Sequence, residues 1–208
     1  MDGWEKFNRY AIWMVKVAYI NLLWIFFTIA GLGLFGLFPS TGAMFTIVQK
    51  WLRKEPVEKI FQTFWQTYKK EFVSLNKFGL FFILIGYVLV YDFLFLQMNG
   101  AKLQWFYPVI GFIAVSYLLV LVYFFPVYTQ FEMKFFQYLK QSFLLGAGSF
   151  LETILIVTAF MLLTIIIRFV PGIIPLFTGS VMAVVITYCS NRALHRIKGQ
   201  RKIINTGL

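Results

Sequence analysis

The sequence predicts an all-α protein, a polytopic membrane helix bundle that forms one membrane domain over residues 1 to 208. Of these residues, 60% are hydrophobic, 21% are aromatic and only 13% are charged. Soluble domains carry about 25% charged residues. No polar block of domain size interrupts the apolar segments, so the composition argues against a soluble catalytic domain.

Five apolar segments are long enough, or nearly so, to cross about 30 Å of hydrocarbon at about 1.5 Å per helical residue. These predicted spans cover residues 17 to 38, 78 to 98, 105 to 126, 150 to 170 and 173 to 190. An odd number of spans places the two termini on opposite sides of the membrane.

The first span raises the question of where its helix ends. No charged residue occurs from Val17 to Gln49, a run of 33 positions, which is more than one crossing and less than two. Pro39 predicts the end of the helix because proline lacks a backbone donor, and Ser40 or Thr41 can cap a following interfacial helix. The apolar face of that helix would comprise Met44, Phe45, Ile47, Val48, Trp51 and Leu52.

Two other stretches are amphipathic at helical spacing and predict further interfacial helices. The first covers residues 3 to 16, with an apolar face of Trp4, Phe7, Tyr10, Ala11 and Met14. The second follows Pro56, where Val57, Ile60, Phe61, Phe64, Trp65, Tyr68, Phe72 and Leu75 lie opposite Lys59, Gln62, Gln66, Lys69 and Lys70.

The second of these stretches provides the candidate partner-binding site. Aromatic side chains with flanking basic residues are frequent anchors of protein contacts. Trp and Tyr also favour the bilayer interface, so anchoring in lipid is the alternative. The candidate residues are Phe61, Phe64, Trp65, Tyr68, Lys69, Lys70 and Phe72.

The net charge of +11 indicates a lipid partner and no nucleic acid. The 19 Lys and Arg residues lie between the apolar runs, where phospholipid headgroups are their counter-ions. Fourteen of the 19 share the side of Lys54 and the C-terminal tail. The positive-inside rule therefore predicts a cell-membrane protein with a cytoplasmic C-terminus and an external N-terminus.

An alternative topology follows from the basic residues that directly precede the first span, Lys6, Arg9 and Lys16. A re-entrant hairpin over residues 17 to 49 would place both of its flanks in the cytoplasm. Irregular backbone exposed to lipid is costly, which favours the five-span topology.

A possible internal parallel repeat relates residues 17 to 98 to residues 105 to 170, with 173 to 190 as a final span. Both copies contain a Phe-Pro pair followed by a basic amphipathic stretch. Several transporters are built from internal parallel repeats of this kind. FWQTYKKEF and FFQYLKQSF are identical at four of nine positions, the pairs Phe64/Phe135, Gln66/Gln137, Lys69/Lys140 and Phe72/Phe143.

Two acidic residues, Asp92 and Glu152, are the intramembrane polar candidates. The repeat starts the fourth span near Phe150, so Ser149 and Glu152 fit a capping box. Asp92 falls in the outer leaflet, either as a charge paired for structure or as a contact for a cation or a sugar in a bundle cavity. Its candidate counter-ions are Lys16, Lys102 and Arg168.

No residue pattern predicts catalysis, a metal site or a cofactor. Cys189 is the single cysteine, and neither a Cys/His cluster nor a Ser/His or paired-carboxylate arrangement lies at membrane depth. His195 is expected at headgroup level. We therefore expect a protein that is not an enzyme.

The glycines Gly31, Gly33 and Gly36 match G-x-G-x-x-G, but without the preceding strand that dinucleotide binding requires. We interpret them as sites of close helix packing. Gly146 and Gly148 have the same interpretation.

Four stretches together resemble the YesL-like family of Gram-positive integral membrane proteins, whose function is unknown. They are Asn21 to Trp24, Phe38 to Thr41 with Ala43, Lys50 to Arg53 and Phe61 to Lys70. The resemblance implies a small membrane protein often encoded beside carbohydrate ABC transporters and sensor kinases. The family offers no established catalytic residues to transfer.

From this context we expect a non-enzymatic accessory subunit of a carbohydrate ABC uptake system. The alternative is a signalling adaptor that couples a membrane sensor kinase to a transporter or to the envelope. Expected partners are the lipid bilayer and the membrane subunits of a transporter or sensor kinase.

Overall fold

The computed structural model describes residues 3–98 and 104–205. This part of the chain is all-α, as predicted, and contains no strand. The α-helices are α1 (Gly3–Ala30), α2 (Leu34–Leu52), α3 (Ile60–Met98), α4 (Tyr107–Tyr128), α5 (Phe135–Gly148), α6 (Phe150–Phe169) and α7 (Ile174–Asn205). Short 3-10 helices precede α4 and α7, at Gln104–Phe106 and Pro171–Ile173.

Within the described residues, five helices are long and apolar enough to cross a membrane, which confirms the predicted number of spans. Large apolar side chains such as Phe112 and Phe160 are exposed on them, as expected for surfaces solvated by lipid tails. The chain is therefore a polytopic membrane helix bundle. The spans are Trp4–Ala30, Ile60–Met98, Tyr107–Gln130, Phe150–Phe169 and Ile174–Ile197.

The predicted end of the first span at Pro39 is wrong. Helix α1 ends at Ala30, and Pro39 lies inside α2. The chain turns at Leu32 and Gly33, whose φ angles are 59° and 73°, and glycine adopts this left-handed conformation at no steric cost. Pro39 is buried in the bundle, so tertiary packing offsets the hydrogen bond that its ring removes from the helix.

The three-residue turn between Ala30 and Leu34 makes α1 and α2 a helical hairpin. The side of the membrane on which its flanks lie stays a prediction. The Trp24 indole Nε1 donates a hydrogen bond to Thr41 Oγ1 at 3.0 Å. A Cβ atom on Gly31 would lie 2.4 Å from Gly36 Cα. The close-packing interpretation is therefore confirmed at Gly31 and Gly36, since only glycine allows the two backbones to approach so closely. It is wrong at Gly33, where a Cβ atom would meet nothing within 4 Å.

The predicted interfacial helices at 3 to 16 and after Pro56 are not separate helices. The first is the N-terminal half of α1, and the second is continuous with the span in α3, which has 39 residues. No proline occurs in α3, and its only glycines, Gly79 and Gly86, pack against Phe38 and Tyr117. Nothing in the sequence therefore interrupts the helix between the amphipathic segment and the span.

Helix α2 lies at the centre of the bundle, in contact with α1, α3, α4 and α7. Two clusters of buried side chains meet beside it at Phe125, which packs against both of them. The Phe125 ring centroid lies 6.0 Å from that of Phe38 and 5.3 Å from that of Phe45. The phenylalanines of the two Phe-Pro pairs are therefore in contact in the core.

A single asparagine connects α1 to the last helix. Asn21 is fully buried, and its Nδ2 donates to the Pro175 carbonyl oxygen at 2.8 Å. The Ser180 backbone N–H donates to Asn21 Oδ1 at 2.9 Å. The side chain thus hydrogen-bonds to one backbone acceptor and one backbone donor in the first two turns of α7.

Candidate functional site

Polar side chains converge where the C-terminal ends of α2 and α4 meet α3, α5 and α7. Two of the open cavities in this region share Gln130, which lies two residues after the end of α4. We call them the acidic cavity and the basic cavity after the charged groups that distinguish them.

The acidic cavity has a volume of about 620 Å³, within the range of about 300–1,000 Å³ typical of small-molecule sites. Two carboxylates and one lysine are its charged groups. It is lined by Thr46, Gln66, Thr67, Lys70, Glu71, Tyr128, Thr129, Gln130, Phe131, Glu132 and Tyr138.

One side of the acidic cavity is held by a hydrogen-bonded group between α3 and α4. The Tyr128 hydroxyl donates to Glu71 Oε2 at 2.6 Å and lies 3.1 Å from Ser74 Oγ. Lys70 Nζ is 3.7 Å from Glu71 Oε1. The carboxylate is therefore compensated on both oxygens, and it fixes α4 against α3 at the cavity wall.

The connection between α4 and α5 is held by a second tyrosine. The Tyr138 hydroxyl donates to the Phe131 carbonyl oxygen at 2.8 Å and accepts from the Met133 backbone N–H at 3.1 Å. Its ring centroid lies 4.9 Å from that of Tyr128. These contacts order the loop that carries Gln130 and Glu132 into the cavity.

The basic cavity has a volume of about 540 Å³. Its basic residues are Arg53, which directly follows α2, and Arg192 and His195 of α7. Three amide side chains also line it, and its described lining includes no carboxylate. The lining residues are Gln49, Leu52, Arg53, Gln130, Tyr188, Asn191, Arg192, Leu194 and His195.

The three amide side chains form a network, the amide triad of Gln49, Gln130 and Asn191. Gln130 Nε2 donates to Asn191 Oδ1 at 2.7 Å. Gln49 and Asn191 exchange two hydrogen bonds of 3.3 Å each. The triad therefore joins α2, the α4–α5 connection and α7 in the wall of the basic cavity.

The predicted partner-binding residues do not share one environment. Phe64 and Tyr68 are buried in the core, whereas Phe61 and Trp65 are 48% and 37% exposed. The Lys69 ammonium lies 4.2 Å from the Trp65 ring centroid. Of the remaining two, Phe72 is half-buried and Lys70 lies at the acidic cavity. Phe61, Trp65 and Lys69 thus form the exposed part of the stripe, which we call the α3 ledge.

The buried side of the stripe packs on Phe27, a residue that the sequence reasoning did not select. Its ring centroid lies 5.2 Å from Phe64, 5.3 Å from Trp65 and 5.1 Å from Tyr68. Phe27 belongs to the apolar run of α1 and has no sequence feature that separates it from its neighbours. Its role follows only from the position of the hairpin beside α3.

The prediction of a capping box at the start of α6 is wrong, although Ser149 is the N-cap residue as predicted. No side-chain capping bond forms, and Glu152 is 2% exposed. Its Oε2 has no hydrogen-bond partner among the described residues. Glu152 instead lies near enough to Tyr123 and Cys189 to interact electrostatically with them. It is a buried carboxylate inside the bundle.

Asp92 lies apart from both polar cavities. It is half-buried and lines an apolar cavity of about 340 Å³ with Phe95, Leu96, Phe106 and Ile110. Among the described residues, neither Lys16 nor Arg168 is paired with it, and both are exposed. The third predicted counter-ion, Lys102, lies outside the described residues.

His195 is exposed and lines the basic cavity. Cys189 is buried. The described part of the chain contains no group of three or more His, Cys, Asp or Glu side chains that could hold a metal ion. That the protein uses no cofactor stays a prediction.

The two later glycines differ. A Cβ atom on Gly146 would lie 3.1 Å from the Tyr123 ring, so close packing is confirmed there. A Cβ atom on Gly148 would meet nothing within 4 Å, so the packing interpretation is wrong at that position.

The sequence reasoning also missed the amide triad and Arg53 and Arg192 as cavity residues. A usable signal was present, because Gln49, Gln130 and Asn191 each lie at the end of an apolar run on the same predicted side of the membrane. Amide side chains at such positions are available to hydrogen-bond across helices. Which of them meet could not be deduced from the chain order.

The fold and this site define an all-α membrane protein with a polar end built from several helices. Residues 17–93 match the family described as "Protein of unknown function, DUF624". The chain is 33% identical to the uncharacterized protein YteU of Bacillus subtilis (strain 168) over 192 residues, which cover 91% of this chain and 83% of YteU. The chain therefore belongs to this family, and the predicted family resemblance is confirmed.

Two further relatives from Bacillus subtilis (strain 168) match over a similar length. The uncharacterized protein YesL is 31% identical over 190 residues, with 89% of this chain and 88% of YesL covered. The uncharacterized protein YesV is 32% identical over 190 residues, with 90% of each chain covered. No solved structure matches the chain.

Proposed function

We propose that this protein is a non-enzymatic accessory subunit that docks on another membrane protein through the α3 ledge. The observation that carries the proposal is the length of α3. Its 39 residues extend about 58 Å at 1.5 Å per residue, nearly twice the hydrocarbon thickness of about 30 Å.

The charges of α3 indicate which part extends beyond the hydrocarbon. Lys69, Lys70, Glu71 and Lys77 all precede Phe78, and Asp92 is the one charged residue after it. The N-terminal part of α3, which carries the ledge, is therefore the part that reaches into the headgroup region and beyond.

The chemistry of the ledge fits a protein contact. Phe61 and Trp65 expose apolar area on a helix that is fixed from behind by Phe27, so binding orders few side chains. Lys69 over the Trp65 ring adds a positive charge held by a cation–π contact. Rigid aromatics beside a basic group are the residues enriched in interface hot spots.

The kind of partner follows from the family context. The resemblance implies genes beside carbohydrate ABC transporters, so the proposed partner is a membrane subunit of a carbohydrate uptake system. The signalling alternative predicts a sensor kinase at the same surface, and a copurification experiment separates the two.

The test compares Trp65→Leu/Lys69→Glu with the control Phe112→Leu. Phe112 is 70% exposed in α4, so the control removes a similar aromatic from a lipid-facing span. Tyr68→Leu is unsuitable, because Tyr68 is buried and its hydroxyl donates to the Phe27 carbonyl oxygen. Tagged protein is purified from native membranes in mild detergent, and the copurifying proteins are identified by mass spectrometry.

The wild type and Phe112→Leu are expected to retain one transporter subunit, and the ledge variant to lose it at unchanged abundance in the membrane. Recovery of a sensor kinase instead would support the adaptor. Unchanged copurification in the ledge variant would contradict docking through the ledge and would indicate that its aromatic side chains contact lipid.

A further inference from the structure

We propose that the basic cavity binds the phosphate group of an organic anion through Arg53 and Arg192. This inference concerns a different surface from the α3 ledge and does not depend on the proposed docking function. It is drawn from the charge, the hydrogen-bond donors and the position of the cavity.

The charge of the cavity is uncompensated. Arg53 and Arg192 come from different helical segments and line the same space with His195. Neither arginine is within 4 Å of a carboxylate among the described residues. The one ion pair in that part of the chain joins Lys70 and Glu71. Guanidinium groups bind phosphate oxygens in pairs of parallel hydrogen bonds, which makes arginine well suited to this ligand.

The cavity also has a fixed wall of neutral donors. Gln49 is 4% exposed, and the amide triad holds it against Asn191 and Gln130. Each primary amide carries two N–H donors, and each donates one bond within the triad. Among the described residues the second N–H of each amide makes no recorded hydrogen bond, so the triad can donate further bonds from a wall already held in place.

Of the two cavities, only the neighbouring one has carboxylates in its described lining. Glu71 and Glu132 line the acidic cavity, and the two cavities share Gln130. This separation distinguishes the basic cavity from a surface where lysines and carboxylates are mixed, and it leaves a positive field for an anion.

The apolar residues of the cavity indicate more than an inorganic ion. Leu52, Leu194 and the half-exposed Tyr188 line it beside the arginines, and about 540 Å³ is room for an organic group of small-molecule size. The ligand class is a phosphate ester. It can come from an anionic phospholipid headgroup or from a soluble phosphorylated compound, and the experiment separates these sources.

The test uses the full chain in lipid nanodiscs and the variants Arg53→Gln and Arg192→Gln. Each has a matched control that removes an exposed charge outside the cavity lining, Lys54→Gln for the first and Arg196→Gln for the second. In the soluble arm, glycerol 3-phosphate is titrated in phosphatidylcholine nanodiscs while thermal unfolding is followed. In the lipid arm, phosphatidylglycerol is mixed into phosphatidylcholine, and the lipid that remains bound after transfer to detergent is counted by native mass spectrometry.

We expect one arm to show binding that each cavity variant weakens by about tenfold, as loss of a charge-assisted hydrogen bond implies, while the controls match the wild type. Binding in the soluble arm identifies a soluble phosphate ester, and binding in the lipid arm alone identifies a headgroup. No binding in either arm, or equal weakening in the controls, overturns the proposal.

A measurement on the wild type covers the case in which the cavity variants fail to fold. Inorganic phosphate should compete for the site and raise the unfolding temperature, whereas chloride at equal ionic strength should not. Equal effects of the two salts would show general screening of a basic surface and would contradict a phosphate site.

Discussion

The two halves of the chain use the same kind of amphipathic segment in different ways. In α1–α3, the segment around Trp65 continues into the span as a single helix. In α4–α6, the corresponding segment is the separate helix α5, and the chain breaks at Ser149 before α6 starts. The break follows Gly146 and Gly148, and glycine weakens a helix by about 1 kcal/mol relative to alanine. The difference shows that the junction, and not the amphipathic pattern, determines whether the helix continues.

The two Phe-Pro pairs also occupy different positions in their helices. Pro39 lies inside the central helix α2, whereas Pro126 lies two residues before the end of α4. Phe38 and Phe125 are nevertheless in contact in the core. That the two halves form an internal parallel repeat stays a prediction.

The largest expected effect concerns the direction of the two halves. In a Cys189→Ala background, Lys54→Cys and Lys134→Cys should be protected from an impermeant thiol reagent in intact cells, and Lys102→Cys should be labelled. The reason is that fourteen of the 19 basic residues share the predicted cytoplasmic side with Lys54 and Lys134. Opposite results at positions 54 and 134 would show that the halves are not parallel.

The second prediction compares the glycines of the two halves. A Cβ atom on Gly36 would lie 2.4 Å from the Thr28 carbonyl oxygen, a backbone atom, whereas one on Gly148 would meet nothing within 4 Å. Gly36→Ala should therefore cost about 3 kcal/mol, the upper end of overpacking costs. Gly148→Ala should change the free energy of unfolding by less than about 1 kcal/mol. Unfolding in detergent micelles measures both, and equal costs would refute the hairpin packing.

The third prediction compares two carboxylates. Glu152→Met should stabilise the protein by about 1–3 kcal/mol, because it removes a buried oxygen that has no hydrogen-bond partner among the described residues. Glu71→Met should destabilise it by about 1–2 kcal/mol, because the Tyr128 hydroxyl loses its charged acceptor and keeps only the longer contact to Ser74. Thermal unfolding midpoints should shift in opposite directions. A loss of stability in Glu152→Met would indicate that the carboxylate has a binding partner.

The smallest expected effect is at the break between α5 and α6. Ser149→Ala should cost less than about 0.5 kcal/mol, because the Ser149 side chain makes no capping hydrogen bond, whereas a true cap is worth about 1 kcal/mol. The same unfolding measurement decides it. A loss of about 1 kcal/mol would indicate that the Ser149 side chain does cap α6.

The candidate site shows where sequence reasoning reaches its limit. Phe61 and Trp65 of the predicted stripe are exposed, but Phe64 and Tyr68 on the same stripe are core residues. Helical periodicity gives the face on which a side chain lies. It does not give the neighbour that covers that face, which here is Phe27 of the α1–α2 hairpin.

The sequence by itself determined the fold class and the number of spans, because apolar content and segment length depend only on local composition and the bilayer thickness. The family followed from the resemblance of four specific stretches. Only the tertiary structure decided that α2 is a buried helix through Pro39 and that Gln49, Gln130 and Asn191 meet. It also decided that Glu152 is buried without its cap. The physical reason is that these features depend on contacts between residues up to 142 positions apart, and such contacts leave no periodic signal in the chain.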